Sequence, residues 1–333
     1  MIRVFKFLPH VVFAIALLAG VLWAATAFWF HLQTVLLVSG WALLLLAILV
    51  EAVAYRRSRI AGWAVLLAAC LLVGSWYQTI VPRSDKDWDV DVSRGVLARV
   101  EGSRVQLDNI RDFDWHTASE ADPRWISRDL DLDQLQSVDM FTSVWSNPDI
   151  AHLLVSFGFS DGEHVVFSAE IRREKGEAFN EIGGFFRQFE LVLIGATERD
   201  IVKLRTNYRR EEVRLYPLTL SAEARRAMFL SFVDLSQQLE AEPAFYNTLT
   251  ANCTTVVYQL AKALQPDLPM DWRLVLSAHL PEYLLNLGLL GGEGTVNARK
   301  DAALISGRAQ QMPEGGDYSN FIRGQRGNDT NNH

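Results

Sequence analysis

The chain has 333 residues, is 50% hydrophobic and carries a formal net charge of −7. The hydrophobic excess is concentrated at the front, where the segment is net basic, so the remainder is more acidic than the whole. An acidic remainder lacks the positive field that grips nucleic acid or anionic headgroups. Two cysteines, Cys70 and Cys253, are too few for a disulfide-framed fold.

Three apolar runs open the chain, roughly Pro9–Phe30, Gln33–Tyr55 and Ile60–Ile80. Each is near the ~20 residues that cross a bilayer. A buried core helix is shorter and tolerates charge, and a cleavable signal peptide accounts for the first run only. We therefore expect three membrane helices over 1–81. Arg3 and Lys6 precede the first, the connection around His31 carries no Lys or Arg, and Arg56, Arg57 and Arg59 fill the second. The positive-inside rule then places the N-terminus in the cytoplasm and everything after Pro82 on the opposite side of the membrane. No charge lies mid-helix. Glu51 is the one acid, near the cytoplasmic end of the second run, and the segment reads as an anchor.

Residues 82–94 read as a charged linker. Leu97–Glu101 and Val105–Leu107 flank a Gly-Ser turn and predict a hairpin. Residues 114–133 are too irregular to assign, and Leu135–Phe141 looks strand-like. Leu153–Phe159 and Val165–Ile171 flank Ser160-Asp161-Gly162-Glu163, a second hairpin with an Asp-Gly turn signal. Phe189–Gly195, Ile201–Arg205 and Val213–Leu218 continue the pattern. Short strands with polar turns predict an antiparallel sheet. Ser221 opens a helix to about Ala241. Asn252 or Thr250 caps the next, with Cys253 in its first turn and Val256, Val257, Leu260, Ala261 and Leu264 as its apolar stripe. Residues 272–289 are expected to be helical. Residues 291–333, rich in Gly, Asn and Asp, are expected to form a disordered tail.

Cys253 is the feature that asks for a chemical explanation. A lone thiol in an oxidising compartment is unusual. A thiol at a helix N-terminus is biased toward thiolate, and the same free N–H groups can hold an oxyanion. A neighbouring histidine would serve as base toward the thiol and acid toward the leaving group. His152, at the start of a strand, is the candidate. If the hairpin closes on a three-residue loop, Phe159 faces Glu163 and His152 falls opposite Glu170, where cross-strand neighbours are ~4.5–5.5 Å apart. A two-residue turn sends Glu170 to the other face. The residues leave both registers open. Ser168 shares parity with Glu170, and His164, near the turn, is the rival histidine. Against this stands the plain alternative that Cys253 is a small buried hydrophobe and His152 a satisfied strand residue. His152, His164 and Cys253 could be imagined around a metal, but neither C-x-x-C nor H-E-x-x-H spacing occurs. Asp131, Asp133 and Asp139 read as solvated edges. The mixed-charge stretch Asp200, Lys203, Arg205, Arg209, Arg210 and Arg214 reads as a solvated face.

Four stretches carry a family resemblance: Asn109–Phe113 (NIRDF), Ala151–Phe159 (AHLLVSFGF), Phe167–Glu177 (FSAEIRREKGE) and Phe245–Thr255 (FYNTLTANCTT). Over roughly residues 95–285 the chain resembles the periplasmic N-terminal domain of the Lnb lipoprotein transacylases. It also resembles circularly permuted papain-like cysteine hydrolases and acyltransferases, in which the histidine strand precedes the cysteine helix. The resemblance implies an α+β extracytoplasmic domain over 95–290, with Cys253 as nucleophile, His152 as base and Glu170 as its orienter. Asn252, Tyr246 and Ser168 would be supporting neighbours. It implies no cofactor and no metal, a bilayer partner, and a lipoprotein, lipid or peptidoglycan substrate. Here three membrane helices precede the domain, whereas the transacylases carry theirs after it, so the acyl acceptor stays open. The competing expectation is a non-catalytic envelope scaffold with a structural Cys253.

Overall fold

The computed structural model describes residues 2–324, with side chains from Phe7 onward. It divides into two units, residues 1–83 with 180–188, and residues 84–179 with 189 onward. The first unit contains α1 (Ile2–His31), α2 (Thr34–Arg57) and α3 (Arg59–Gln78). Phe7–His31, Thr34–Arg57 and Arg59–Gln78 are long and apolar enough to span a membrane. Phe13 stacks on Tyr55 with ring centroids 4.0 Å apart. A single residue, Ser58, joins α2 to α3, and a Cβ at Gly62 would lie 2.5 Å from the Tyr55 ring, so the close approach after this turn needs glycine. The unit also holds the short helix α4 (Glu181–Phe185), capped by Asn180. Arg187 follows it and donates to the Tyr77 and Ile80 carbonyls at 3.0 and 3.2 Å, satisfying acceptors at the end of α3.

The second unit is built on one sheet. Its strands are β1 (Leu97–Glu101), β2 (Arg104–Arg111), β5 (Trp125–Asp131), β6 (Leu135–Val144), β7 (His152–Phe159), β8 (His164–Arg172), β9 (Glu190–Ala196) and β10 (Glu212–Pro217). The order is β1-β2-β9-β8-β7-β6-β10, with β5 also on β2. A separate ribbon pairs β3 (Asp114–Trp115) with β4 (Ala121–Asp122). The large sheet is mixed rather than purely antiparallel, because β2 meets β9 in parallel through Arg111 and Ala196. Alternation of side chains sends Val155, Phe157 and Phe167 to one face and Leu154, Val166 and Ile194 to the other. The first face is covered by α6 (Ala222–Ala241), whose Met228, Phe229, Phe232 and Val233 fill the core, and by α7 (Cys253–Leu264). The second is covered by α5 (Glu198–Lys203) and by two short helices near the C-terminus. The result is an α+β domain with helices on both faces of the sheet.

Several expectations change. The extension read at Ile201–Arg205 is instead α5 followed by a π turn, Leu204–Tyr208. Thr197 caps α5 by accepting from the Asp200 N–H, and Glu198 and Asp200 occupy its first turn, a start signal that the apolar spacing hid. The helical run expected over 272–289 is two 3₁₀ turns followed by α8 (Leu280–Asn286), which begins just before Pro281. Of the 82–94 stretch, residues 84–94 belong to the second unit and pack into it. Val92 is buried, and Arg173 pairs with Asp89 and Asp91 at 3.0 and 2.7 Å.

The largest change concerns the tail. Within residues 291–324 the chain forms α9 (Val296–Ala303), α10 (Ser306–Ala309) and α11 (Tyr318–Ile322), while 325–333 lie outside the described residues. Ile305, Ala309, Tyr318 and Ile322 are buried in the core against β10 and α5. Arg323 then reaches into the interior. It donates to both Glu198 carboxylate oxygens at 2.7 Å and to Asp139 at 2.6 Å, while Ser156 donates to Glu198 at 2.6 Å. Composition suggested disorder because the apolar residues that anchor this segment are few and widely spaced. Burial of those few, plus one charge clamp, is enough to hold it. Asp139, read above as a solvated edge, is 4% exposed and sits in this clamp.

Replacing Arg323 by Met leaves two buried carboxylates without their cation, and should destabilise this unit by about 3–5 kcal/mol in equilibrium unfolding. Burial raises the Glu198 carboxyl, but Arg323 more than offsets this and brings it down to about 2. A depressed carboxyl contributes stability above its unfolded value and loses it as pH falls through the folded one. The gap between wild type and Arg323→Met should therefore narrow from about pH 4.5 toward pH 2. An unchanged gap would show that the clamp is not the source.

Candidate active site

Three local constructions converge on one end of the sheet. The first is the β7–β8 hairpin. Phe159 N–H donates to Glu163 O at 2.9 Å, and Gly158 pairs with His164, so the loop is Ser160-Asp161-Gly162. Gly162 has φ +89°, a left-handed conformation that glycine adopts without strain. Asp161 Oδ1 accepts from the Glu163 N–H at 3.0 Å and helps fix the turn. The register that results, Val155 opposite Phe167, carries His152 to the level of Glu170. Of the two registers left open by the residues, this is the one formed. The pairing of β7 with β8 stops at Val155–Phe167, so the strand ends bearing His152 and Glu170 extend beyond it.

The polar contacts there are short. His152 Nε2 is 3.0 Å from Glu170 Oε1 and 2.8 Å from Ser168 Oγ. Ser168 donates to Glu170 Oε1 at 2.8 Å, so it accepts from the imidazole N–H. Nε2 is thereby committed, and Nδ1 is the ring nitrogen left for a thiol.

The second construction is the start of α7. Asn252 is its N-cap, and its Oδ1 accepts from the Thr254 and Thr255 N–H groups at 2.9 and 2.8 Å. Thr255 Oγ1 accepts in return from the Asn252 N–H at 2.9 Å, completing a capping box. Asn252 O takes the Val256 N–H. Among the described residues this leaves the Cys253 N–H as the uncommitted donor of the first turn. Asn252 thus caps the helix terminus and leaves one amide there without a partner among the described residues. The Tyr246 N–H bonds Phe189 O at 3.0 Å and ties the approach loop to β9, while its ring packs near Ala169, Leu191 and Val256.

The third construction was missed in the sequence. Arg205, on the π turn after α5, is 5% exposed and donates to Glu170 Oε1 at 2.9 Å. The expected solvated face is in this part a buried one, because Asp200 is fully buried as well. Asp200 receives Arg111 Nε and Nη2 at 2.8 and 3.0 Å, the Phe113 N–H at 2.9 Å and Trp115 Nε1 at 2.7 Å. Arg111 and Phe113 belong to the NIRDF stretch, which thus locks α5 and, through it, the turn that presents Arg205. Nothing in the spacing of residues 200–214 separates the buried charges from the exposed ones. That distinction comes from a partner about ninety positions away.

Residues 121–278 match the Lnb N-terminal periplasmic domain. This segment of the chain belongs to that family. The Lnb segment holds His152, Ser168, Glu170, Arg205, Tyr246, Asn252 and Cys253, while NIRDF and α9–α11 lie outside the match. The protein is thus a membrane protein bearing a periplasmic-type Lnb domain. No curated protein and no solved structure matches the chain.

The electrostatics of the Lnb site favour a charged pair. Burial lowers the His152 imidazole, but the Glu170 carboxylate more than offsets it; Arg205 opposes, Cys253 adds, and the net value is raised to about 9. Burial pushes the Cys253 thiol up, and the His152 charge, a hydrogen bond to the imidazole and one from the Leu153 backbone pull it below its usual range. Burial likewise raises Glu170, and His152, Arg205 and Ser168 together hold it well below the carboxylate range. Each of the three groups is thereby biased toward its charged form, thiolate, imidazolium and carboxylate. Cys253 as a residue is partly exposed.

His164 is not part of this site. Its Nδ1 contacts Gly162 O at 3.0 Å, and it stands with Asp139 and Glu198 in the one group of three metal-ligating side chains found among the described residues. Arg323 already supplies the positive charge to those carboxylates. Cys253 and His152 do not join that group.

Two measurements check this electrostatic arrangement. Iodoacetamide should alkylate Cys253 rapidly at pH 6.5, and His152→Ala should slow it roughly tenfold or more as the thiol returns toward its ordinary ~8.5. In Glu170→Gln the imidazole loses its largest stabilising charge, so the alkaline transition in the rate profile should move from about 9 down toward the ordinary histidine value. A profile identical to wild type would mean that Glu170 does not act on His152.

Proposed function

We propose that the Lnb domain is a cysteine acyltransferase or hydrolase of the bacterial envelope. The observation that carries the reading is the His152 imidazole. It is held by Glu170 at 3.0 Å through Nε2, and its charge acts on a capped, helix-terminal Cys253, drawing the thiol below its usual range. The Cys253 thiolate attacks the carbonyl carbon of an ester or amide. The C–O⁻ of the tetrahedral adduct is held by the Cys253 N–H. His152 Nδ1–H gives its proton to the departing alkoxide or amine as the C–O or C–N bond breaks, leaving a thioester on Cys253. Neutral His152 then takes a proton from an incoming amine or water, which attacks the thioester and releases the acyl product and the thiolate. Glu170 stays ionised throughout, with Arg205 and Ser168 fixing its position.

The helices support a substrate at the bilayer. Arg3 and Lys6 ahead of the Phe7–His31 span, and Arg56, Arg57 and Arg59 around the α2–α3 turn, favour a cytoplasmic N-terminus in the inner membrane with the Lnb domain in the periplasm. Lipoprotein acyl transfer is the reaction class that the family resemblance favours. The His–acid–Cys chain order fits the permuted papain-like arrangement.

Full-length protein incubated with a diacylated lipopeptide bearing a labelled ester acyl chain should acquire a hydroxylamine-labile label on Cys253. Cys253→Ala should abolish it, and His152→Ala should reduce acylation on the order of 10²-fold or more. Undiminished acyl turnover in Cys253→Ala would reject the reading in favour of a scaffold whose cysteine is structural.

A further inference from the structure

The membrane unit contains a feature that an anchor does not need. Between α1, α2 and α3 lies a cavity of about 220 Å³. Its lining includes Leu17, Gly20, Ala47, Leu66, Cys70 and Glu51. It runs from Leu17 to Ala24 on α1, from Glu51 back to Leu44 on α2 and from Leu66 to Val73 on α3. At ~1.5 Å per residue this is about 10 Å of helix. Because successive helices are antiparallel, Glu51, Leu17 and Leu66 share one end, and the other end is apolar.

Glu51 is 1% exposed, and neither carboxylate oxygen has a hydrogen-bond partner among the described residues. An unpaired buried carboxyl is costly, and intramembrane acids usually mark a functional position. The arginine that opens α3 is engaged elsewhere. Arg59 Nη2 contacts His10 Nε2 at 3.2 Å, and His10 Nδ1 contacts Tyr55 OH at 2.9 Å. Small residues, Gly20, Ala24, Ala47 and Ala69, keep the space open where larger side chains would fill it. A metal ion is a poor fit, because one carboxylate among apolar side chains cannot supply a hard cation's oxygen shell.

We propose that this cavity binds a linear alkyl ammonium amphiphile, its head on Glu51 and its chain along the apolar channel. An ammonium offers three donors and a positive charge, enough to satisfy both carboxylate oxygens at once, whereas a hydroxyl offers a single donor. A channel about 10 Å long takes a short alkyl chain.

The test is equilibrium dialysis of radiolabelled n-octylamine against the full-length chain in phosphatidylcholine nanodiscs, corrected for empty nanodiscs. One saturable site per chain is expected, displaced by unlabelled octylamine and at least tenfold less by n-octanol. Glu51→Gln should weaken binding at least tenfold. Ala47→Phe, which fills the channel but keeps the acid, should weaken it comparably. Absence of a saturable excess, binding unchanged in both variants, or equal displacement by octanol would each overturn the proposal. Because no catalytic residue is altered, the result is independent of whether the Lnb domain transfers acyl groups.

Discussion

The register of the β7–β8 hairpin is the constraint on which the candidate site depends. A side chain on a strand alternates faces with period two, so a slip of one residue would separate Glu170 from His152 entirely. The three-residue loop, with Gly162 in the left-handed conformation and Asp161 bonding the Glu163 amide, sets that register. Everything at the imidazole follows: the bond from Nε2 to Glu170, the bridging Ser168 hydroxyl, and the assignment of Nδ1 to the thiol. The pairing ends short of these residues, which leaves the Leu153 backbone free to bond the sulfur.

Around this row the domain uses buried charge as a positioning device. Arg205 holds Glu170, Asp200 fixes the element before Arg205, and Arg111 and Trp115 hold Asp200. Breaking a buried pair is far more costly than forming one is favourable. Such a chain therefore specifies one arrangement more than it adds stability. The Arg323 clamp on Glu198 and Asp139 does the same for the C-terminal helices on the same face of the sheet.

The cysteine and the acid reach the site by different physics. Cys253 depends on local order, since Asn252 and Thr255 build a capping box within four residues and the helix dipole follows. His152 and Glu170 depend on sheet register. Local capping makes the helix start nearly independent of distant packing, whereas the imidazole needs the whole hairpin in place.

The sequence by itself determined the three apolar spans, the helix start at Cys253 and the Asp-Gly turn between two strands. Each of these is a local property: apolar length, capping chemistry or turn composition. Only the tertiary structure decided the hairpin register, the burial of Asp200 and Arg205, the ordering of residues 296–324 and the burial of Glu51. Those depend on partners tens to nearly two hundred positions away, from Arg111 on Asp200 to Arg323 on Asp139. A charge near the chain's own polar neighbours looks the same in sequence whether solvent or a distant carboxylate will meet it. Burial is what separates the two, and burial is a property of the packed chain.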